Sequence, residues 1–253
     1  MTAIVTSTNI AAGLRALGVR EGGVVLAHSS LKRFGQVAGG AEAVIDGLLA
    51  AVGPRGTVLA PTITGTRSHG PDDPPVLDIR NTPCWTGAIP EALRQRPGAV
   101  RSHHPTHSVA ALGPRAAYLT QDHFTCGSPC GPDSPYLRLA ELDGMVVFLG
   151  TTLDCCTLLH GVEELADCAY HMQAAPVPGT VITADGRTLR GTFRLHLWGT
   201  PRRFTVLEPL LLEMGIMRIG QIGDAEVRVL QARPMVERVA AMLREEPRYL
   251  VAE

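Results

Sequence analysis

Aromatic residues make up only 4% of this 253-residue chain, so the stacking platforms that hold unpaired bases have little to be built from. No charge of one sign dominates either: 23 basic residues face 24 acidic ones, for a net charge of −1. That balance removes the electrostatic case for nucleic acid or an anionic membrane surface as a partner. No segment reaches the roughly 18 consecutive apolar residues of a membrane-spanning helix. The opening MTAIVTSTNI has neither the basic start nor the apolar stretch of a secretory signal, and a cytoplasmic location is expected. Three catalytic or nucleotide motifs are also missing. Neither a P-loop nor G-x-G-x-x-G occurs, and without G-x-S-x-G a serine hydrolase of the common α/β type is disfavoured.

Hydrophobic residues, at 45%, suffice for a large core. The apolar run VVLAH, a Gly39-Gly40 helix start with Val44, Ile45, Leu48 and Leu49, and the run TVLAP read as strand, helix, strand, which is the pattern of a parallel crossover unit. An amphipathic helix over 7–18 precedes it. Residues 64–83, rich in Gly, Pro, Asp and Arg, read as an extended surface loop, followed by a helix capped by Thr86. Strands near Val100 and over 108–112, helices near 114–121 and 134–142, a strand over 145–149 and a helix over 154–168 come next. Toward the C-terminus, Asp185-Gly186 marks a hairpin, a helix covers 205–214, a strand pair lies around 216–231, and a last helix runs from Met235. The expected fold is α/β: one domain over 1–253, with a mixed central sheet flanked by helices and an antiparallel addition toward the C-terminus.

The stretch GTTLDCCTLLHGVEELADCAY, residues 150–170, concentrates the chemistry. Asp154 is an N-cap candidate, and Thr157, His160, Glu163, Glu164 and Asp167 recur at helical intervals. A histidine with carboxylates one turn away, just past a strand, is a place for a general base; a solvated helix face is the alternative. Two further segments are polar at strand ends. HSSLKRFG, from His28, is either a grip for a polar ligand or an ordinary turn. RSHHPTHSVAALG, from Arg101, holds three of the nine histidines, but no carboxylate or cysteine lies near them in sequence to complete a metal site.

Six cysteines stand at 84, 126, 130, 155, 156 and 168. In a reducing compartment no disulfide framework is expected. Cys126 and Cys130 in FTCGSPCGP are either packed thiols or half of a zinc site, completed from Cys155, Cys156, Cys168 or His171. Cys156 and His160, four apart on the helix, keep a thiol nucleophile open. A metal-binding or thiol-sensing protein is therefore the reading that competes with an enzyme.

The blocks HSSLKRFGQVAGGAEAVIDGLLAAVGPRGTVLAPT, TGAIPEALRQRPGAVRSHHPTHSVAALGPRA, CGPDSPYLRLAELDGMVVFLG and LDCCTLLHGVEELAD, with the closing MRIGQIGDAEVRVLQARPMVERV, resemble the aminoglycoside 3-N-acetyltransferase family in order and spacing. The resemblance spans nearly the whole chain. It implies an antibiotic N-acetyltransferase fold and transfer of an acetyl group from acetyl-coenzyme A to an amine, in the family the 3-amino group of an aminoglycoside. By the same resemblance His160, Glu163, Asp154 and Thr157 are catalytic. His28, Ser29, Ser30, Leu31, Thr106, Ser108 and Val109 line the coenzyme tunnel, and Arg101 approaches its phosphates. No metal is implied, and a monomer or homodimer would serve.

The chemistry fits. A protonated amine must lose a proton before it attacks a thioester, an imidazole titrates in the right range, and backbone N–H groups at a strand–helix junction can hold the oxyanion. Two departures stand out. The cysteines at 126, 130, 155, 156 and 168 are outside the family's usual pattern, and the part between His171 and Arg218, which should shape the acceptor pocket, is short. Asp72, Asp73, Asp78, Glu164 and Asp167 are the visible carboxylates for a polycationic acceptor.

Overall fold

The computed structural model describes residues 4–252. In chain order its elements are α1 (Ser7–Ala16), β1 (Val24–Ser29), α2 (Gly40–Val52), β2 (Thr57–Pro61), β3 (Val76–Asp78), α3 (Ala88–Gln95), β4 (Val100–Arg101), β5 (Val109–Leu112), α4 (Ala116–Thr120) and α5 (Pro135–Glu141). After these come β6 (Met145–Leu149), α6 (Thr157–Leu165), β7 (Val177–Ile182), β8 (Thr188–Phe193), α7 (Glu208–Glu213), β9 (Met217–Ile222), β10 (Ala225–Gln231) and α8 (Ala232–Glu245).

Seven strands form the central sheet in the order β4-β5-β2-β1-β6-β10-β9. Its middle is parallel: β1 pairs with β2 on one side and with β6 on the other. Antiparallel strands close both flanks, β5 against β2 and β10 against β6. The central strands are buried on both faces, and the period of two sorts their side chains. Leu26, Leu59, Val146 and Phe148 enter one core with α5, α6 and α8, whereas Val25, Val58, Ala60 and Val147 enter the other with α1 and α2. Three layers result, helices on either side of a mixed sheet. α1 and α2 approach so closely that a β-carbon on Gly47 would lie 2.7 Å from Ile10 Cβ, so glycine there is a packing requirement.

Four expectations shift. The 64–83 segment is not wholly loop: it contains β3, which pairs in parallel with β7. The Asp185-Gly186 hairpin does form, as β7–β8, but it leaves the central sheet for this separate three-stranded one. Of the two C-terminal hairpins, β9–β10 is the one that joins the main sheet. Gly87, not Thr86, caps α3, because the Thr86 hydroxyl donates to the Pro61 carbonyl at 2.6 Å. α6 is shorter than 154–168. It ends where Asp167 takes a left-handed φ of 50° and the Cys168 N–H returns to the Glu163 carbonyl at 3.0 Å. Among the described residues no helix is long and apolar enough to cross a membrane.

Candidate active site

A cavity of about 470 Å³ opens at the carboxyl ends of β1, β2 and β6, the edge where open α/β sheets place their ligands. Ser29 and His28 come from the end of β1, Ile63 follows β2, and Thr151 follows β6. The first turn of α6 brings Thr157 and His160. The opposite wall comes from far along the chain, with His171, His196, Trp198, Arg202 and Phe204.

His160 and Glu163 lie one turn apart on α6, and that spacing produces a hydrogen bond of 2.7 Å between His160 Nδ1 and Glu163 Oε2. Glu163 is fully buried, and burial pushes its carboxyl pKa up; the His160 hydrogen bond and the charges of His160, His171 and Arg202 outweigh this and bring it to about 2. An ionised carboxylate only accepts, so His160 Nδ1 carries the proton and Nε2 keeps its lone pair on a ring that faces the cavity. Arg202 Nε donates to Glu163 Oε1 at 2.8 Å, and its guanidinium lies 4.7 Å from the Tyr170 ring centroid. Arg202 Nη2 also donates to His171 Nδ1 at 3.0 Å, which leaves the His171 proton on Nε2. That Nε2 is buried without a partner. The His171 ring stacks on His160 with centroids 5.2 Å apart. Burial, then the charge of His160, holds its pKa near 3 and keeps it neutral.

Asp154 is not the helix cap. It sits in a 3-10 turn (Leu153–Cys155) and accepts the Thr205 N–H at 3.1 Å, which ties the turn to the far wall. Instead, His28 Nε2 accepts the Thr157 N–H at 3.4 Å. Burial, then His160, brings the His28 pKa down to about 3, so the ring is the neutral acceptor this contact needs. The Leu159 N–H bonds the Cys156 carbonyl at 3.1 Å. Two backbone N–H groups of the first turn of α6, Thr157 and Leu159, thus already have partners within the protein. Free donors come from other groups: Ser29 Oγ and Thr151 Oγ1 are buried, unpartnered and line the cavity.

Several sequence-derived contacts point elsewhere. Arg101 is buried, and its guanidinium donates to the Thr62 and Thr82 carbonyls and to the Thr62 and Ser108 hydroxyls. A guanidinium so committed brackets interior loops and does not reach out to phosphates. Ser108 Oγ donates to the Thr62 carbonyl at 2.8 Å, and Val109 is core. Thr106 Oγ1 is spent on His107 Nδ1 at 2.9 Å, so His107 is the residue of that block that lines the cavity. Ser30 and Leu31 are absent from the wall; the Ser30 N–H bonds the Leu149 carbonyl. Cys156 is in the core, and burial raises its thiol to about 12 despite the Leu158 and Leu159 N–H groups, which removes it as a nucleophile. Of the expected acidic residues Glu164 is buried away from the cavity, Asp78 is turned into its own turn at Arg80 and Asn81, and Asp72, Asp73 and Asp167 are not on the wall. Among the described residues Asp154 is the carboxylate that lines it.

Two groups of side chains have metal-ligating geometry, His160–Glu163–His171 and Cys130–Glu164–His196. In the first, Glu163 already carries the Arg202 guanidinium, which occupies the place of a cation. His196, Arg202 and Trp198 escaped the sequence reading because no local pattern marks them. Arg202 lies 39 residues from Glu163, and only the return of the chain after β8 joins them.

The aminoglycoside 3-N-acetyltransferase family matches residues 26–244. Aminoglycoside N(3)-acetyltransferase VII of Streptomyces paromomycinus is 38% identical over 95% of this chain and 92% of its own length. Among solved structures, that of aminoglycoside acetyltransferase AAC(3)-Xa superposes with a TM-score of 0.83 at 36% identity, covering 96% of this chain and 94% of the other. The structure of AAC-IIIb in binary complex with CoASH gives 0.81 at 29% identity, over 96% and 97%. With the match running through both cores and the cavity walls, the chain belongs to the aminoglycoside 3-N-acetyltransferase family.

Proposed function

We propose that this chain, acting as one domain over residues 1–253, transfers the acetyl group of acetyl-coenzyme A directly to the 3-amino group of an aminoglycoside, with His160 as general base. Family membership supports the reaction and its co-substrate, since a relative of this fold holds CoASH and the similar proteins are aminoglycoside acetyltransferases. The observation that carries the residue assignment is the His160–Glu163 hydrogen bond at 2.7 Å on the wall of a cavity at the strand ends.

An aminoglycoside amine is protonated near neutral pH, and His160 Nε2 is the lone pair available to take its proton. Glu163 fixes the tautomer and stabilises the imidazolium that forms; Arg202 holds Glu163 in place. Bound acetyl-coenzyme A supplies the acyl group. The unpartnered Ser29 and Thr151 hydroxyls and the His171 Nε2–H suit the polar atoms of its thioester and pantetheine arm, because a buried polar group left unpaired is costly. For the acceptor, Asp154 offers a carboxylate to an ammonium group, and the exposed faces of Trp85 and Trp198 offer apolar surface to sugar rings. Cys155 lines the cavity, and partial burial and the Asp154 charge push its thiol up, which disfavours a covalent part for it. All six cysteines are unpaired, in keeping with a cytoplasmic setting.

The test is release of free coenzyme A across a panel of aminoglycosides and simple amines, with coenzyme binding followed by calorimetry. Acetylation of gentamicin-like compounds is the expected result. A flat aminoglycoside panel with intact coenzyme binding would leave the acyltransfer reading and remove the acceptor; no coenzyme binding would remove both.

A further inference from the structure

One residue beyond Glu163 on α6, a second cluster of ionisable side chains plays no part in the reaction above. Cys130 Sγ, a Glu164 carboxylate oxygen and a His196 ring nitrogen all lie within 4.8 Å of one another. Glu164 Oε1 meets His196 Nε2 at 2.8 Å and accepts the Cys130 N–H at 2.8 Å. A fourth donor stands at the rim. A β-carbon on Gly131 would lie 2.3 Å from Ser128 Oγ, 2.8 Å from Glu164 Oε2 and 3.7 Å from Cys126 Sγ, so a glycine is what lets the hydroxyl, the carboxylate and the second thiol crowd one place in the loop. The loop that carries both cysteines is held against the strand end that carries His196, because the Arg194 N–H donates to the Gly127 carbonyl at 2.9 Å.

Packing explains Cys130 as a small apolar residue, but it does not explain Glu164. The Glu164 and His196 side chains are 7% and 8% exposed, and among the described residues the one basic side chain within salt-bridge distance of Glu164 is the His196 imidazole. A carboxylate placed in the interior beside two thiols and an imidazole is a costly arrangement unless something cationic joins it. Glu163, by contrast, has its guanidinium.

We propose that Cys126, Cys130, Glu164 and His196 form a binding site for one zinc ion, which fastens the far wall of the cavity to α6. Two thiolates, an imidazole and a carboxylate select zinc over the hard cations magnesium and calcium. Around tetrahedral zinc such donor atoms stand about 3.3–3.8 Å apart. The three clustered donors reach that spacing by shifts of about 1 Å, and Cys126 joins by giving up its contact with the Pro132 carbonyl. Binding releases the thiol protons. Sequence composition alone offers Cys155, Cys156, Cys168 or His171 to complete a Cys126–Cys130 pair; the fold supplies Glu164 and His196. The ion would lie behind His196, whose ring is 4.1 Å from His171 and 5.3 Å from His160, so it would set the position of the catalytic wall without touching substrate.

The test uses the full chain, stripped with chelator, supplied with zinc and passed through gel filtration before metal analysis. One zinc per chain is expected. Cobalt in its place should give a thiolate-to-metal charge-transfer band. Cys126→Ser and Glu164→Gln should weaken zinc binding by more than the about 10–100-fold that outer-sphere partners are worth, and a Cys126→Ser/Cys130→Ser double variant should abolish it. Cys126 is half-buried, so its single variant keeps the test alive if Cys130→Ser does not fold. His171→Gln should keep its zinc. No retained zinc at micromolar free metal, undiminished zinc in Cys126→Ser and Glu164→Gln, a cobalt spectrum without the thiolate band, or loss of zinc on His171→Gln would each overturn the proposal. None of these readouts depends on acetyl transfer.

Discussion

Glu163 and Glu164 are neighbours on one helix, yet the two flanks of α6 treat them oppositely. Both are buried, and for both burial is the largest influence and pushes the pKa up. On the Glu163 flank the His160 hydrogen bond, together with the charges of His160, His171 and Arg202, reverses that push, and the carboxyl falls to about 2. On the Glu164 flank the hydrogen bonds from Ser128 and Cys130 and the charge of Arg194 fall short of it, and the carboxyl rises to about 7. Residue type and sequence position are nearly the same, so the difference lies in what faces each side chain. A cation at hydrogen-bond distance makes Glu163 a fixed negative orienter, and the lack of one beside Glu164 makes it a group that holds a proton or awaits a metal.

The strongest test of the Glu163 flank is His160→Ala. Turnover should fall by roughly 10²–10⁴-fold, the range for loss of a general base, while calorimetry still shows coenzyme binding. Near-normal turnover would move the base to another ring on the wall, with His107 next in line.

Glu163→Gln should act on two readouts. Stability, measured by urea unfolding, should drop by about 3–5 kcal/mol because Arg202 loses its buried partner. Turnover should fall by about 10–100-fold through loss of the group that orients His160. A stable variant with unchanged turnover would reduce the pair to a structural contact.

Glu164→Gln sharpens the contrast by its sign. In metal-free protein held in chelator, Glu164 titrates at about 7 against an ordinary 4.5. Its protonated form is the one the fold prefers, so its stabilisation is complete below pH 4.5 and is lost as pH climbs through 7. Glu164→Gln should therefore flatten that decline and exceed the parent at pH 8 by up to about 3 kcal/mol. Glu163 works the other way: its contribution is present above pH 4.5 and is lost as pH falls toward 2. Unfolding curves from pH 2 to 8 for both variants would break the comparison if the two pH dependences shared a sign.

The smallest effect belongs to Cys155→Ala. The residue is exposed at the cavity, and its removal should leave stability within about 0.5 kcal/mol and most of the turnover. Complete loss of acetyl transfer would restore a covalent role to a thiol.

Sequence alone determined whatever depends on short spacing. The unbroken apolar runs VVLAH and MVVFL required strands buried on both faces, and strand–helix–strand order required the parallel crossover from β1 to β2. A helical interval of three placed Glu163 under His160, and the block resemblance placed the chain in its family before any distance was known. What only the tertiary structure decided are contacts between segments with no shared period. β3 hid in a Gly- and Pro-rich stretch of 64–83 because three residues are too few to show alternation, and its partner β7 lies a hundred residues away. Arg101 looked like a phosphate ligand until its donors were seen spent on Thr62, Thr82 and Ser108. Cys156 looked like a nucleophile until burial raised its thiol to about 12. Arg202 and His196 carry no local signal at all. Sequence spacing reports which side chains share a face of one element, whereas charge and reactivity depend on burial and on partners from distant elements, which are set only when the chain returns on itself.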